Sequence, residues 1–112
     1  MMNQQIPKER EIISKSGNSE LCIEVLTYSK KVLTTKKIIM TETQWLSFVS
    51  HISGMVYRSI NMEAIPALEK EIFSEVTQDS IGMASDICKQ LSNLHDDEKY
   101  LLSIHFESAK LN

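Results

Sequence analysis

Apolar residues return every three or four positions along most of this chain, and no stretch alternates with period two for long enough to suggest a strand. From Ser19 to about Leu33, the positions Leu21, Cys22, Val25, Leu26, Ser29, Val32 and Leu33 keep the helical rhythm, with Ser19 as the expected N-cap. Thr34 to Thr41 reads as a connection rich in Lys and β-branched residues, with Ile38 and Ile39 tucked onto the core. A second helix, capped by Thr41 or Thr43, runs to about Ile60. Its stripe is Trp45, Phe48, Val49, Ile52, Met55, Val56 and Ile60, and Asn61 is expected to help end it. Pro66 suits the first turn of a third helix, continued by Leu68, Ile72, Phe73 and Val76. A break at Gln78 to Ser80 leads into a fourth helix carrying Ile81, Ala84, Ile87, Cys88 and Leu91. Ser92 to Asp96 then turns the chain into a fifth, from about Asp97, bearing Leu101, Leu102, Ile104, Phe106 and Ala109. The expected fold class is all-α, a bundle of about five helices with short loops. Residues 1–18, which hold Pro7 and close on Ser16-Gly17-Asn18, read as a polar N-terminal arm with a short helix over Lys8 to Lys15, and residues 19–112 as the helical domain.

Composition narrows the function classes. With 112 residues the chain is long enough for one domain, and an aromatic share of 6% means that Leu, Ile, Val and Met must supply most of the core. The net charge of −3 provides no global basic field for nucleic acid or an anionic membrane. Lys30, Lys31, Lys36 and Lys37 form a local cluster that reads as a solvated helix end, because two Lys pairs without interleaved aromatics make a poor nucleic-acid footprint. No uninterrupted apolar run exceeds three residues, so no segment is expected to span a membrane. Cys22 and Cys88 are isolated, as suits reduced thiols, and the expected location is the cytoplasm.

Two histidines carry the candidate chemistry. His51 is followed seven residues later by Arg58, and His105 is preceded by seven residues by Glu98, the last of the acidic run Asp96-Asp97-Glu98. Seven residues are nearly two helical turns and return to within about 20° of the same face. Each helix therefore aligns an imidazole and a fixed charge along one stripe beside an apolar seam. Imidazole is the side chain best suited to accept and release a charged group near neutral pH. If the two stripes face each other, they enclose a polar pocket inside a helical protein.

The motifs Ser50-His51-Ile52, Arg58, and Asp97-Glu98 through Ile104-His105-Phe106, in that order on a helical background, resemble the PTS regulation domain, or PRD. This is the module of bacterial antiterminators and sugar-operon activators that responds to the phosphoenolpyruvate:sugar phosphotransferase system. The resemblance spans about Ser19 to Lys110. It implies a compact helical bundle that tends to form homodimers. It implies that His51 and His105 are the phosphorylated histidines, with Arg58 and Glu98 supporting the phosphate pocket. It also implies that a phosphotransferase-system phosphocarrier or sugar-specific component is the phosphoryl donor. Such domains usually come in pairs beside an RNA- or DNA-binding domain. A single copy stands here, so the output is expected to pass through a partner rather than through direct nucleic-acid contact. Many members carry a carboxylate just before the first histidine, where this chain has Ser50.

Other readings stay open at this point. His51 could be an ordinary half-buried helix histidine, and His105, flanked by Ile104 and Phe106, a hydrogen-bonded core residue. His95 sits in a turn where a capping or solvent role fits best. Asp96-Asp97-Glu98 at a helix start complements the macrodipole, which is itself a sufficient structural reason for the run. Neither a metal nor an organic cofactor is expected, since His51 and His105 have no third ligand nearby in sequence. With no nucleophile elbow and no phosphate loop, the chain is expected not to be an enzyme. The alternative to a phosphohistidine-responsive regulatory module is a helical dimeric adaptor whose histidines are structural.

Overall fold

The structure, a computed structural model, describes residues 7–112. It contains α1 (Pro7–Ser14), α2 (Ser19–Thr35), α3 (Glu42–Asn61), a 3-10 turn at Lys70–Phe73, α4 (Gln78–Cys88) and α5 (Glu98–Lys110). No strand occurs among the described residues, so the all-α expectation stands. None of these helices is long and apolar enough to cross a membrane.

Helices α1, α2 and α5 are arranged about α3. Its start is set by Thr41, whose hydroxyl accepts from the Gln44 N–H (3.1 Å) while Gln44 Oε1 accepts from the Thr41 N–H (2.9 Å), a reciprocal capping box. Its end is set by Met62 in the left-handed region (φ 55°), where the chain turns back onto the Arg58 carbonyl, and the Asn61 side chain donates to the Tyr57 carbonyl. Between these ends Phe48, Val49, Ile52, Met55 and Val56 are fully buried at helical spacing. That face packs on α1, α2 and α5, while α4 lies chiefly against α5 and also touches α2. Phe48 is the centre of an aromatic group, with Trp45 stacked at 5.5 Å and Phe106 of α5 at 5.7 Å.

The structure departs from the sequence reading at several elements. The helix expected from Pro66 to Val76 is an irregular segment with only a four-residue 3-10 turn. Its apolar residues do not make one face: Phe73 is buried against Tyr100, whereas Ile72 is 73% exposed. A helix this short without a continuous packed stripe is not stable. The fifth helix of the bundle is instead α1, inside the stretch read as a polar arm. Ile13 of α1 enters the core, and buried Glu9 accepts from the Trp45 indole N–H at 3.1 Å. The N-cap of α2 is Asn18, which accepts from the Leu21 N–H at 3.0 Å, rather than Ser19. Gln78 to Ser80, expected as a break, form the first turn of α4 under the Thr77 cap. Ile39, Ile60 and Ile104 are exposed rather than core residues.

Substitutions separate end effects from the core. Phe48→Ala is expected to cost about 3–5 kcal/mol of unfolding free energy, and Thr41→Ala about 1 kcal/mol. Urea unfolding followed by Trp45 fluorescence checks both. Equal losses from the two variants would contradict the placement of Phe48 at the packing centre.

Candidate functional site

All four residues singled out in the sequence come together where α3 crosses α5. The helices run antiparallel there, so the C-terminal part of α3 meets the first turn of α5. Glu98, the first residue of α5, has no exposed surface, and its carboxylate accepts from Arg58 Nε at 2.8 Å and Arg58 Nη2 at 2.7 Å. The Arg58 side chain is 24% exposed, and its guanidinium forms a two-pronged fork on the carboxylate. This bond to Glu98 raises the Arg58 pKa against the opposing effect of burial. In the sequence Glu98 had a sufficient explanation as a complement to the helix dipole. The structure adds that it is the buried half of an inter-helix ion pair.

Two turns away along both helices the histidines meet. His51 Nδ1 lies 2.9 Å from His105 Nε2, with ring centroids 5.0 Å apart and planes inclined at 69°. The edge of the His105 ring also packs on Phe48 at 5.8 Å. Burial, then His105, then the Arg58 charge push the His51 pKa down to about 4. Burial also lowers that of His105. Both imidazoles are therefore neutral at pH 7, and one ring donates while the other accepts. A neutral imidazole keeps a lone pair on one nitrogen, the form in which it can act as a nucleophile.

Sequence reasoning missed two participants. Phe48 was assigned to the core but not to the support of His105. Gly54, one turn beyond His51 and one turn before Arg58, went unremarked. A Cβ at Gly54 would stand 3.3 Å from Arg58 Nη1, so a larger residue would crowd the guanidinium. A glycine inside a long amphipathic helix costs about 1 kcal/mol relative to alanine, and that oddity was the available signal. Along the same face of α3 a cleft of about 390 Å³ is lined by Lys15, Ser50, Ser53, Gly54, Tyr57 and Arg58, among others. Glu63 sets a carboxylate beside Lys15 and Arg58 in this concavity, and neither histidine is among its lining residues. His95 does not join the site. Its Nδ1 accepts from the Asp97 N–H at 3.1 Å, a local role at the start of α5.

Glu98 makes the ion pair asymmetric in its consequences. Arg58→Ala leaves a carboxylate buried without a cation and is expected to destabilise the fold by about 3–5 kcal/mol. Replacing both partners, as Arg58→Met with Glu98→Leu, is expected to recover most of that loss. Chemical denaturation of the two variants is the check, and a double variant no more stable than Arg58→Ala would contradict the pair.

Known proteins share this fold. The family model described as "PRD domain" matches residues 27–109. A solved PRD-containing transcription regulator from Lactobacillus casei ATCC 334 superposes with a TM-score of 0.88 at 30% identity, covering 96% of this chain and 97% of that one. Among curated proteins no sequence matches significantly. The matched region takes in α3, α4 and nearly all of α5, and with them both histidines and the ion pair between their helices: the chain belongs to the PRD domain family.

Proposed function

We propose that this PRD is a phosphohistidine-responsive regulatory module of the bacterial phosphotransferase system, in which His51 or His105 takes a phosphoryl group. The observation that carries the reading is the contact of His51 Nδ1 with His105 Nε2 at 2.9 Å. It is supported by the depressed pKa values that keep these rings in the nucleophilic form. The donor is a phosphocarrier or sugar-specific component carrying its own phosphohistidine. A ring nitrogen attacks phosphorus, an N–P bond forms, and the donor's N–P bond breaks with its electron pair returning to the donor imidazole. The solved relative is described as a transcription regulator. For this chain we take the regulation to act through a protein partner, from a homodimer in the cytoplasm.

The energetics set what the switch must do. A phosphoryl group brings close to two negative charges at pH 7 and strong acceptor oxygens. A charge-assisted hydrogen bond to it contributes roughly 1.5–3 kcal/mol, whereas carrying a two-state equilibrium from 1:99 to 99:1 needs about 5.5 kcal/mol. Two Arg58 nitrogens already serve Glu98. Drawing the whole guanidinium to a phosphate would strand a buried carboxylate. Arg58 Nη1, outside the fork, is the cationic edge that can be used without breaking that pair, while Lys15 lines the neighbouring cleft together with the Glu63 carboxylate. The small net gain within one protomer makes a contribution from the dimer interface necessary for a full response.

Incubation with phosphoenolpyruvate and the general phosphotransferase proteins, read by intact mass, tests the proposal. Wild type is expected to gain phosphate, and His51→Ala with His105→Ala together to gain none. A wild type that stays unlabelled, or a double variant that labels equally well, would contradict the reading.

The neutral histidines also fix the sign of a pH effect. Between the ordinary value of 6.5 and about 4, the unfolded chain binds a proton at His51 that the folded chain refuses. Stability therefore falls as pH drops through that window. Glu107, held down to about 2 by the hydroxyls of Ser80 and then Thr77, adds its own loss only below its ordinary 4.5. The urea midpoint should accordingly be lower at pH 5 than at pH 7, and the difference should shrink in His51→Gln. An undiminished difference in that variant would assign the effect elsewhere.

A further inference from the structure

We propose that the two histidines act as one acceptor, and that their mutual hydrogen bond assigns the phosphoryl group to the outward nitrogens, Nε2 of His51 or Nδ1 of His105. The inference rests on the phosphoacceptor reading and adds the atom at which the group is carried.

The argument is a proton count. The inward nitrogens, His51 Nδ1 and His105 Nε2, are 2.9 Å apart, so one carries the proton between them and the other accepts it. A neutral imidazole holds one N–H and one lone pair. When His51 Nδ1–H donates, His51 Nε2 is the free lone pair and His105 must carry its second proton-bearing position at Nδ1. When His105 Nε2–H donates, His105 Nδ1 is free and His51 Nε2 carries the proton. The rings therefore share a tautomer, both Nδ1–H or both Nε2–H, and a single lone pair points outward in either state. Moving both protons exchanges which histidine is the nucleophile.

The inward nitrogens are closed to phosphorus by space as well as by the proton. A phosphoryl group on either would have to occupy the gap now spanned by the hydrogen bond. His105 cannot simply retreat, because Phe48 lies against its ring and is fully buried. Neither ring can leave its stripe without disturbing α3 or α5, which the Arg58–Glu98 fork ties together two turns away.

The same hydrogen bond handles the proton released by the chemistry. Attack by the outward lone pair forms the N–P bond and leaves the ring positively charged, with its inward N–H still in place. That proton passes along the 2.9 Å bond to the inward nitrogen of the partner ring. The product is a phosphorylated imidazole beside an imidazolium, which stabilises the phosphoryl charge and has no lone pair left for a second transfer. A second group on the same chain requires this imidazolium to give up a proton first, so singly modified chains accumulate at limiting donor.

The test uses the full chain, labelled with ¹⁵N-histidine, and phosphoramidate as the phosphoryl donor. Its N–P bond breaks to release ammonia, so no partner protein is needed. Long-range ¹H–¹⁵N spectra before addition should show the same tautomer, or the same tautomer exchange, in His51 and His105. After limiting addition, phosphorus should be on His51 Nε2 or His105 Nδ1, with one group per chain by intact mass. In His51→Gln, where the mutual bond is lost, labelling of His105 should no longer be confined to Nδ1. Phosphorus on His51 Nδ1 or His105 Nε2, unlike tautomers in the unmodified rings, chains with two groups at limiting donor, or no labelling at all would each overturn the proposal. Labelling by phosphoramidate at the assigned nitrogens but not by the phosphotransferase proteins would leave this inference standing and defeat the proposed function instead.

Discussion

A carboxylate with no exposed surface needs a partner held against it, and for Glu98 that partner is Arg58, bound through two nitrogens. The pair joins the first turn of α5 to the last turns of α3, and it fixes more than the ends. Arg58 lies seven residues after His51, and Glu98 seven residues before His105. In antiparallel helices, equal spacings in opposite directions mean that joining one pair of positions brings the other pair together, roughly 10 Å along the axes. The ion pair and the histidine pair are thus two rungs of one ladder. The first sets the register on which the second depends, and the apolar face around Phe48 holds the two helices at the distance both rungs need.

This division of labour explains why the histidines can be neutral and yet ordered. Burial removes the water that would stabilise an imidazolium, and each ring satisfies the other. The strongly charged partners stand two turns off, where Arg58 disfavours protonation of His51 without bonding to it. In the proposed function the acceptor histidine must be uncharged before modification and tolerate a dianion after it. Here the neighbouring imidazole satisfies the neutral ring, and the cleft nearby holds Lys15 and Arg58 together with Glu63.

Much of this was legible in the residue order because it follows from period. The long stripe from Trp45 to Val56 specified α3 and most of its buried face, and the paired seven-residue spacings placed imidazoles and charges on single faces. What they did not say was that the charges would pair with each other. From one stripe alone, Arg58 looked like a cation awaiting an anion, and only the antiparallel crossing supplies Glu98. The segment after Pro66 misled because a helix-compatible order of Leu68, Ile72, Phe73 and Val76 had just one residue with a core site to fill. The packing of α1 was hidden for the opposite reason. Its attachment depends on Ile13 and on a buried Glu9 paired with the Trp45 indole, and a glutamate in a polar stretch gives no local sign that it will be covered.

The ladder is the central claim, and nitrogen–nitrogen scalar coupling across the histidine hydrogen bond measures it most directly. Wild-type protein labelled with ¹⁵N-histidine should show coupling between His51 Nδ1 and His105 Nε2 at pH 7. In Arg58→Lys, which keeps a positive charge but loses the two-pronged fork, the coupling should weaken or vanish while the helical content is retained. No coupling in the wild type, or full coupling in Arg58→Lys, would contradict the account.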